Sequence, residues 1–177
     1  SLVGSEMCIR DSNASFEALG LDYRYLAFDV NEETLPTAVA GLKVLGARGF
    51  NLTMPDKNLM VSLCDELSTA ARIIGAVNTV VNENGRLVGH NTDGIGYMQS
   101  IKDAGYDIIG KKMTLLGAGG AATAILVQAA LDGLKEISVF VRPTSRFYDR
   151  LVHTVEELTE ITDCRICLLY TSPSPRD

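Results

Sequence analysis

Three stretches of the chain place polar or ionisable residues at the ends of apolar segments: NLTMPDK (51–57), GAVNT (75–79) and GHNTDGIG (89–96). Residues in such positions tend to project into a cleft rather than join the core. Lys57 and Asp93 stand out as an ammonium and a carboxylate. Placed beside a hydroxyl that loses a hydride, such a pair can pass the proton to or from the oxygen. Each residue also has an ordinary role. Lys57 fits a solvated loop, Thr53 a strand, Asn78 a turn, and Asp93 a helix N-cap before GIGYMQS. His90 and His153 read as strand or surface residues rather than as ligands or bases.

A second constellation is LLGAGGAATAI (115–125), which sets Gly117, Gly119 and Ala122 as G-x-G-x-x-A between an apolar strand and a helix. Gly117 allows the tight turn, Gly119 lets a pyrophosphate reach the backbone, and Ala122 lets helix and strand pack closely. The helix N-terminus favours the anion. A tight strand–helix turn without a ligand is the alternative. The next strand runs into Arg142, with Arg146 following, where an NAD site would offer a carboxylate to the ribose. Positive groups there suit the 2′-phosphate of NADP, and a solvated arginine pair is the other reading.

The elements that must position these residues alternate along the chain. NASFEALGL (13–21) reads as a helix ending near Gly20, and YRYLAFDV (23–30) as a strand. LPTAVAGLKVLGA (35–47) reads as a helix with Val39, Leu42 and Leu45 on one face. GFNLT (49–53) is a strand and NLMVSLCDELSTAARIIG (58–75) is helical. AVNTVVNENGRLVGHN (76–91) gives two strands around Asn84-Gly85, a hairpin dipeptide. GYMQSIKDAG (96–105) is helical, residues 111–131 form strand, glycine turn and helix, and EISVFV (136–141) is a strand. Residues 148–166 give a helix and the start of a strand. The pattern predicts an α/β protein with largely parallel sheets.

Both ends read as foreign to this pattern. CLLYTSPSPRD (167–177) can be encoded so that the reverse complement of its codons translates as LVGSEMCIRD, residues 2–11. Residues 1–12 and 167–177 therefore resemble translated adapter sequence, and the fold is expected to reside in about 13–166.

With 177 residues and 46% apolar content, the chain can bury one good core or two small ones. A net charge of −6 argues against nucleic-acid or anionic-membrane partners. No apolar run approaches the length of a membrane span. The four cysteines show no paired metal spacing, which points to no metal and to a reducing, cytoplasmic setting.

In order and spacing, NLTMPDK, GAVNT, NTDGIG and LLGAGGAATAI together resemble the shikimate dehydrogenase family, including its quinate/shikimate branch, through essentially all of 13–166. The resemblance implies an N-terminal α/β substrate-binding catalytic domain over 13–93 and a truncated Rossmann-type dinucleotide-binding domain over 94–166. It implies NADP-dependent, reversible reduction of 3-dehydroshikimate to shikimate in aromatic amino-acid biosynthesis, with quinate as a further substrate in one branch. Lys57 and Asp93 then match the catalytic pair, while Thr53, Lys57, Asn78 and Asp93 match residues on the substrate. Gly117, Ala118, Gly119, Gly120 and Ala121 match the phosphate loop, and Arg142 and Arg146 match basic positions at the 2′-phosphate. Val141 and Pro143 replace the Asn and Thr of that motif, which keeps NAD open. Homodimerisation is left open as well.

The family's Ser-x-Ser carboxylate motif, later Rossmann strands and substrate-contacting glutamine have no counterpart in 13–166. An active full-length parent and an inactive fragment are the expectation. A non-catalytic sensor of a shikimate-like ligand or dinucleotide is the alternative reading, disfavoured because a sensor needs no proton-transfer pair.

Overall fold

Helices and strands alternate in the computed structural model, which describes residues 3–170. The order begins α1 (Val3–Ala18), α2 (Leu35–Val44), β1 (Gly49–Asn51), a 3₁₀ turn (Leu59–Leu63), β2 (Glu66–Leu67) and α3 (Thr69–Ile74). It continues β3 (Thr79–Glu83), β4 (Arg86–His90), α4 (Asp93–Asp103), β5 (Lys112–Leu116) and α5 (Gly120–Leu131). β6 (Glu136–Val141), α6 (Tyr148–Ile161) and β7 (Arg165–Tyr170) complete it. The α/β class is as expected.

Asn84 and Gly85, at φ 56° and 93°, form the turn between β3 and β4, since a two-residue hairpin turn of this type needs two positive values. β1 pairs antiparallel with β3, and β2 runs parallel beside β4, giving the order β1-β3-β4-β2. The expectation of largely parallel sheets fails for this half, because a tight hairpin joins only antiparallel neighbours. Asp65 braces the sheet's end: its carboxylate accepts from Leu87 N–H at 2.7 Å and from Lys43 Nζ at 2.8 Å. The backbone donor and then the ammonium hold that carboxyl below its usual range.

Three further expectations need correction. Residues 23–30 form no strand; the Tyr25 N–H and C=O bond instead with the Asn13 side chain, at 2.8 and 3.0 Å. Those groups are satisfied without a ladder, and Leu26 and Phe28 remain exposed. Residues 58–75 are not one helix. Pairing of Glu66 and Leu67 with Val88 and Gly89 interrupts them, and Ser68 then caps α3 by accepting Ala71 N–H at 3.2 Å. In α2 the buried residues are Leu35 and Val39, whereas Leu45 is exposed, since six helical steps carry it well off the face of Val39.

The second sheet is fully parallel, in the order β5-β6-β7. Of the adapter-like segments, residues 1–2 and 171–177 lie outside the described residues. Cys167–Tyr170 extends β7 along β6, completing the strand whose start was expected near residue 166. An open parallel edge accepts any apolar extended segment through its backbone.

Two cores result. One gathers Leu35, Val39, Met60, Ala71, Val77, Val80 and Leu87 around the first sheet. The other gathers Leu126, Val127, Ile137, Val139, Leu151 and Leu158 around the second. α3 serves both: Ala71 faces the first core, while Ala70, Ile73 and Ile74 enter the second. α4 joins the second through Met98.

Gly94 sets the closest approach between α4 and α5. A Cβ there would lie 2.3 Å from the Ala124 carbonyl oxygen and 2.8 Å from Gln128 Cβ, whereas one on Gly96 would meet nothing within 4 Å. Gly94→Ala is expected to lower stability by about 1–3 kcal/mol through overpacking. Gly96→Ala is expected to raise it by about 0.5–1 kcal/mol through helix propensity. Urea unfolding of both variants checks the contrast.

Candidate active site

The NLTMPDK stretch leaves β1 and turns back before the 3₁₀ segment. Asp56 N–H donates to the Thr53 carbonyl at 3.2 Å, and the Lys57 carbonyl accepts Val77 N–H at 2.8 Å. The second bond ties the lysine turn to the GAVNT stretch. Asn78, 8% exposed, opens β3, and its N–H donates to the His90 carbonyl at 3.0 Å. The third stretch follows β4. Asn91 Nδ2 donates to the Ala76 carbonyl at 3.1 Å, and its side-chain Oδ1 accepts Asp93 N–H at 3.2 Å.

These loops bring three of the four expected substrate-side residues into one hydrogen-bonded cluster. Lys57 Nζ donates to Asp93 Oδ2 at 2.7 Å, and Asn78 Nδ2 donates to Asp93 Oδ1 at 2.8 Å. Both carboxylate oxygens are engaged, so the group cannot rotate freely. The Lys57 side chain is 18% exposed and that of Asp93 43%, which leaves the pair open on one side. An ammonium carries three donors, and among the described residues Nζ uses one on a side chain. Two remain for a ligand. Thr53 shares the Lys57 turn, exposed, without a side-chain partner among the described residues.

Thr92 was not foreseen. Its N–H and hydroxyl meet Asn78 Oδ1 at 2.9 and 3.2 Å, so the Asn78 amide is held from both ends. The signal was present in the NTD run, where Thr92 rather than Asp93 is the N-cap of α4. Asp93 is the first helical residue, a position that favours a negative charge.

The glycine turn forms as expected. Gly117 has φ +99° and donates to the Phe140 carbonyl at 2.8 Å, and Gly119 is the N-cap of α5. A Cβ on Gly117, Gly119 or Gly120 would meet nothing within 4 Å, so the backbone here is open to an incoming phosphate. A cleft of about 700 Å³ is lined by Gly117, Ala118, Arg142 and Arg146, together with Thr144, Ser145 and others. Gly119, Gly120 and Ala121 adjoin it at the helix start. The open turn and the two arginines fit a dinucleotide phosphate. Arg146 also lies over the Phe147 ring, 4.6 Å from its centroid. The cleft lining contains none of Thr53, Lys57, Asn78 or Asp93; the two sites meet through Gly94 packed on α5.

His90 pairs with Thr79 in the β3–β4 ladder and His153 lies beside Glu156 on the surface, as expected. Burial, reinforced by Asp65, pushes the Cys64 thiol up to about 11. No helix among the described residues is long and apolar enough to cross a membrane.

An α/β protein with a Rossmann-type parallel sheet, a glycine turn and a Lys–Asn–Asp cluster is thus defined. Residues 6–80 match the family model described as the shikimate dehydrogenase substrate binding domain. The chain is 55% identical, over 86% of its length, to shikimate dehydrogenase (NADP(+)) of Listeria monocytogenes, of which it covers 52%. It is 47% identical, over 86% of its length, to the Escherichia coli quinate/shikimate dehydrogenase, again covering 52%. Its fold is similar to the crystal structure of Listeria monocytogenes shikimate 5-dehydrogenase in complex with shikimate and NAD. The TM-score is 0.88 at 50% identity, over 95% of this chain and 58% of that one. The chain is thus similar to shikimate dehydrogenases and spans about half the length of the curated relatives it matches.

Asn78→Ala is expected to cost about 1–3 kcal/mol, because Asp93 Oδ1 and Thr92 N–H both lose a partner. Asn78→Asp sets a second carboxylate against Asp93. Its deficit should be larger at neutral pH and shrink as pH falls through the carboxylate range, where one of the pair takes a proton. Urea unfolding at several pH values checks both.

Proposed function

We propose that the protein carrying this chain is a shikimate dehydrogenase, reducing 3-dehydroshikimate reversibly to shikimate with NADP(H). Residues 13–93 would form the substrate-binding catalytic domain and 94–166 the start of the dinucleotide-binding domain. The observation that carries the reading is the Lys57–Asp93–Asn78 cluster, assembled from three separate loops beside the helix that opens at the glycine turn.

The chemistry follows from what each group can do. Bound NADP(H) supplies or accepts the hydride. Lys57, with two uncommitted donors, would hydrogen-bond the reacting oxygen and deliver a proton to it in the reducing direction. Asp93 keeps the ammonium in place and compensates its charge as the proton moves, while Asn78 and Thr92 fix the carboxylate's orientation. Thr53 and Asn78 would bind ring hydroxyls. The open backbone of Gly117, Ala118, Gly119, Gly120 and Ala121 would receive the pyrophosphate at the start of α5.

Arg142 and Arg146 favour NADP over NAD, because cations on the cleft wall suit a 2′-phosphate, and among the described residues no carboxylate lines the cleft to hold a free ribose hydroxyl. The family relation extends to enzymes that take quinate, so quinate is the second substrate to try. A cytoplasmic setting fits the four free cysteines. Homodimerisation is compatible with this reading and is not needed by it.

In steady-state assays Lys57→Ala is expected to lower kcat by about 10²–10⁴-fold, the usual contribution of a positioned acid–base group, with dinucleotide affinity unchanged. Undiminished turnover would remove Lys57 from the mechanism. Arg142→Ala is expected to weaken NADP binding by about 1.5–3 kcal/mol, roughly 10–150-fold, and to leave NAD binding within about twofold. Equal losses for both dinucleotides would separate Arg142 from the 2′-phosphate.

A further inference from the structure

α3 ends at Ile74 and passes through Gly75, at φ +61°, into the segment that builds the site. Gly75 N–H closes the helix by donating to the carbonyls of Ala71 and Arg72. The Ile74 carbonyl, one of the helix's last, needs a partner from elsewhere. It accepts a hydrogen bond from the guanidinium of Arg150, in the first turn of α6. Arg150 forms no ion pair among the described residues, so its charge is directed at this backbone oxygen. Arg72 and Glu157, 3.0 Å apart, tie the same two helices a second time, but about half exposed, where ion pairs hold weakly.

Each end of the Arg150 contact leads to a site. Arg150 lies just beyond Phe147, and Arg142, Thr144, Ser145, Arg146 and Phe147 form one wall of the dinucleotide cleft. Beyond Ile74, three consecutive residues each hold part of the catalytic cluster. The Ala76 carbonyl accepts from Asn91 at 3.1 Å, Val77 N–H donates to the Lys57 carbonyl at 2.8 Å, and Asn78 donates to Asp93 at 2.8 Å. A single side chain on the cofactor side thus fixes the start of the segment on which Lys57 and Asp93 depend.

We propose that Arg150 is a positioning residue that transmits ordering of the cofactor-side loop to Asn78, and through it to Asp93 and Lys57. The proposal rests on the dehydrogenase reading above. A dinucleotide that holds 142–147 also holds the first turn of α6. The guanidinium then keeps the Ile74 carbonyl, and with it residues 75–78, in register. By linkage, each ligand tightens the binding of the other by the same factor.

The test is hydrogen exchange of residues 75–79, with shikimate Kd, in the wild-type protein, Arg150→Ala and Arg150→Lys, each with and without saturating NADP⁺. Without ligand, Arg150→Ala should speed exchange at 75–79 by roughly fivefold or more and leave α5 unchanged, as expected where one local contact is released. With NADP⁺, the wild type should slow exchange at 75–79 and bind shikimate roughly 5–150-fold tighter, the usual span of coupling between sites. Arg150→Ala should bind NADP⁺ with wild-type affinity yet show neither effect. Arg150→Lys, which keeps a cationic donor, should recover part of both. Wild-type protection and coupling in Arg150→Ala would overturn the proposal. A wild-type protein that binds neither NADP⁺ nor shikimate would overturn the dehydrogenase reading and the coupling with it. The ligand-free exchange data would still decide whether Arg150 holds the segment.

Discussion

The hydrogen bond from the Asn78 amide to Asp93 is the interaction on which the site depends. Lys57 sits on an irregular turn, and its long side chain finds a carboxylate only where the carboxylate is already fixed. Asp93 is fixed because Asn78 holds one oxygen while Thr92 holds Asn78 in return. Asn78 is itself nearly buried and anchored by a ladder bond to His90. Its polar groups are desolvated and would each be costly if unpaired, so the arrangement is stiff. Orientation reaches the ammonium through two side chains, while the Val77 N–H bond to the Lys57 carbonyl holds the backbone of its loop.

The same residue explains how two sheets with separate cores act on one region. α3 contributes apolar residues to both cores, and the segment from Gly75 to Asn78 leaves it directly for the site. α4 begins at Asp93 and lies against α5 because Gly94 has no side chain to hold them apart. α5 begins at the glycine turn. The glycine-turn cleft and the Lys57–Asp93 cluster are therefore separated by two helix contacts, each set by a residue at a helix end.

Much of this was legible in the sequence. The glycine turn, the Asn84-Gly85 hairpin and the strand–helix alternation of the second half follow from local rules that tertiary context does not override here. The candidate site was legible as polar residues at the ends of apolar runs, and the structure brings Lys57, Asn78 and Asp93 together. What escaped was long-range. Residues 23–30 have strand composition but form no ladder; the backbone groups of Tyr25 bond to the Asn13 side chain instead. Glu66 and Leu67 lie in a stretch of helical periodicity, yet an available edge at β4 draws them into the sheet. Arg150 carried no sequence signal, because its partner is a backbone carbonyl 76 positions away.

The most direct measurement is a crystal structure of the protein grown with shikimate. A ring hydroxyl within about 3 Å of both Lys57 Nζ and an Asp93 oxygen, on the side facing the glycine-turn cleft, is the predicted result, since a proton-transfer group must reach the atom it serves. Shikimate bound elsewhere, with the Lys57–Asp93 pair closed on itself and turned from the ligand, would contradict the account.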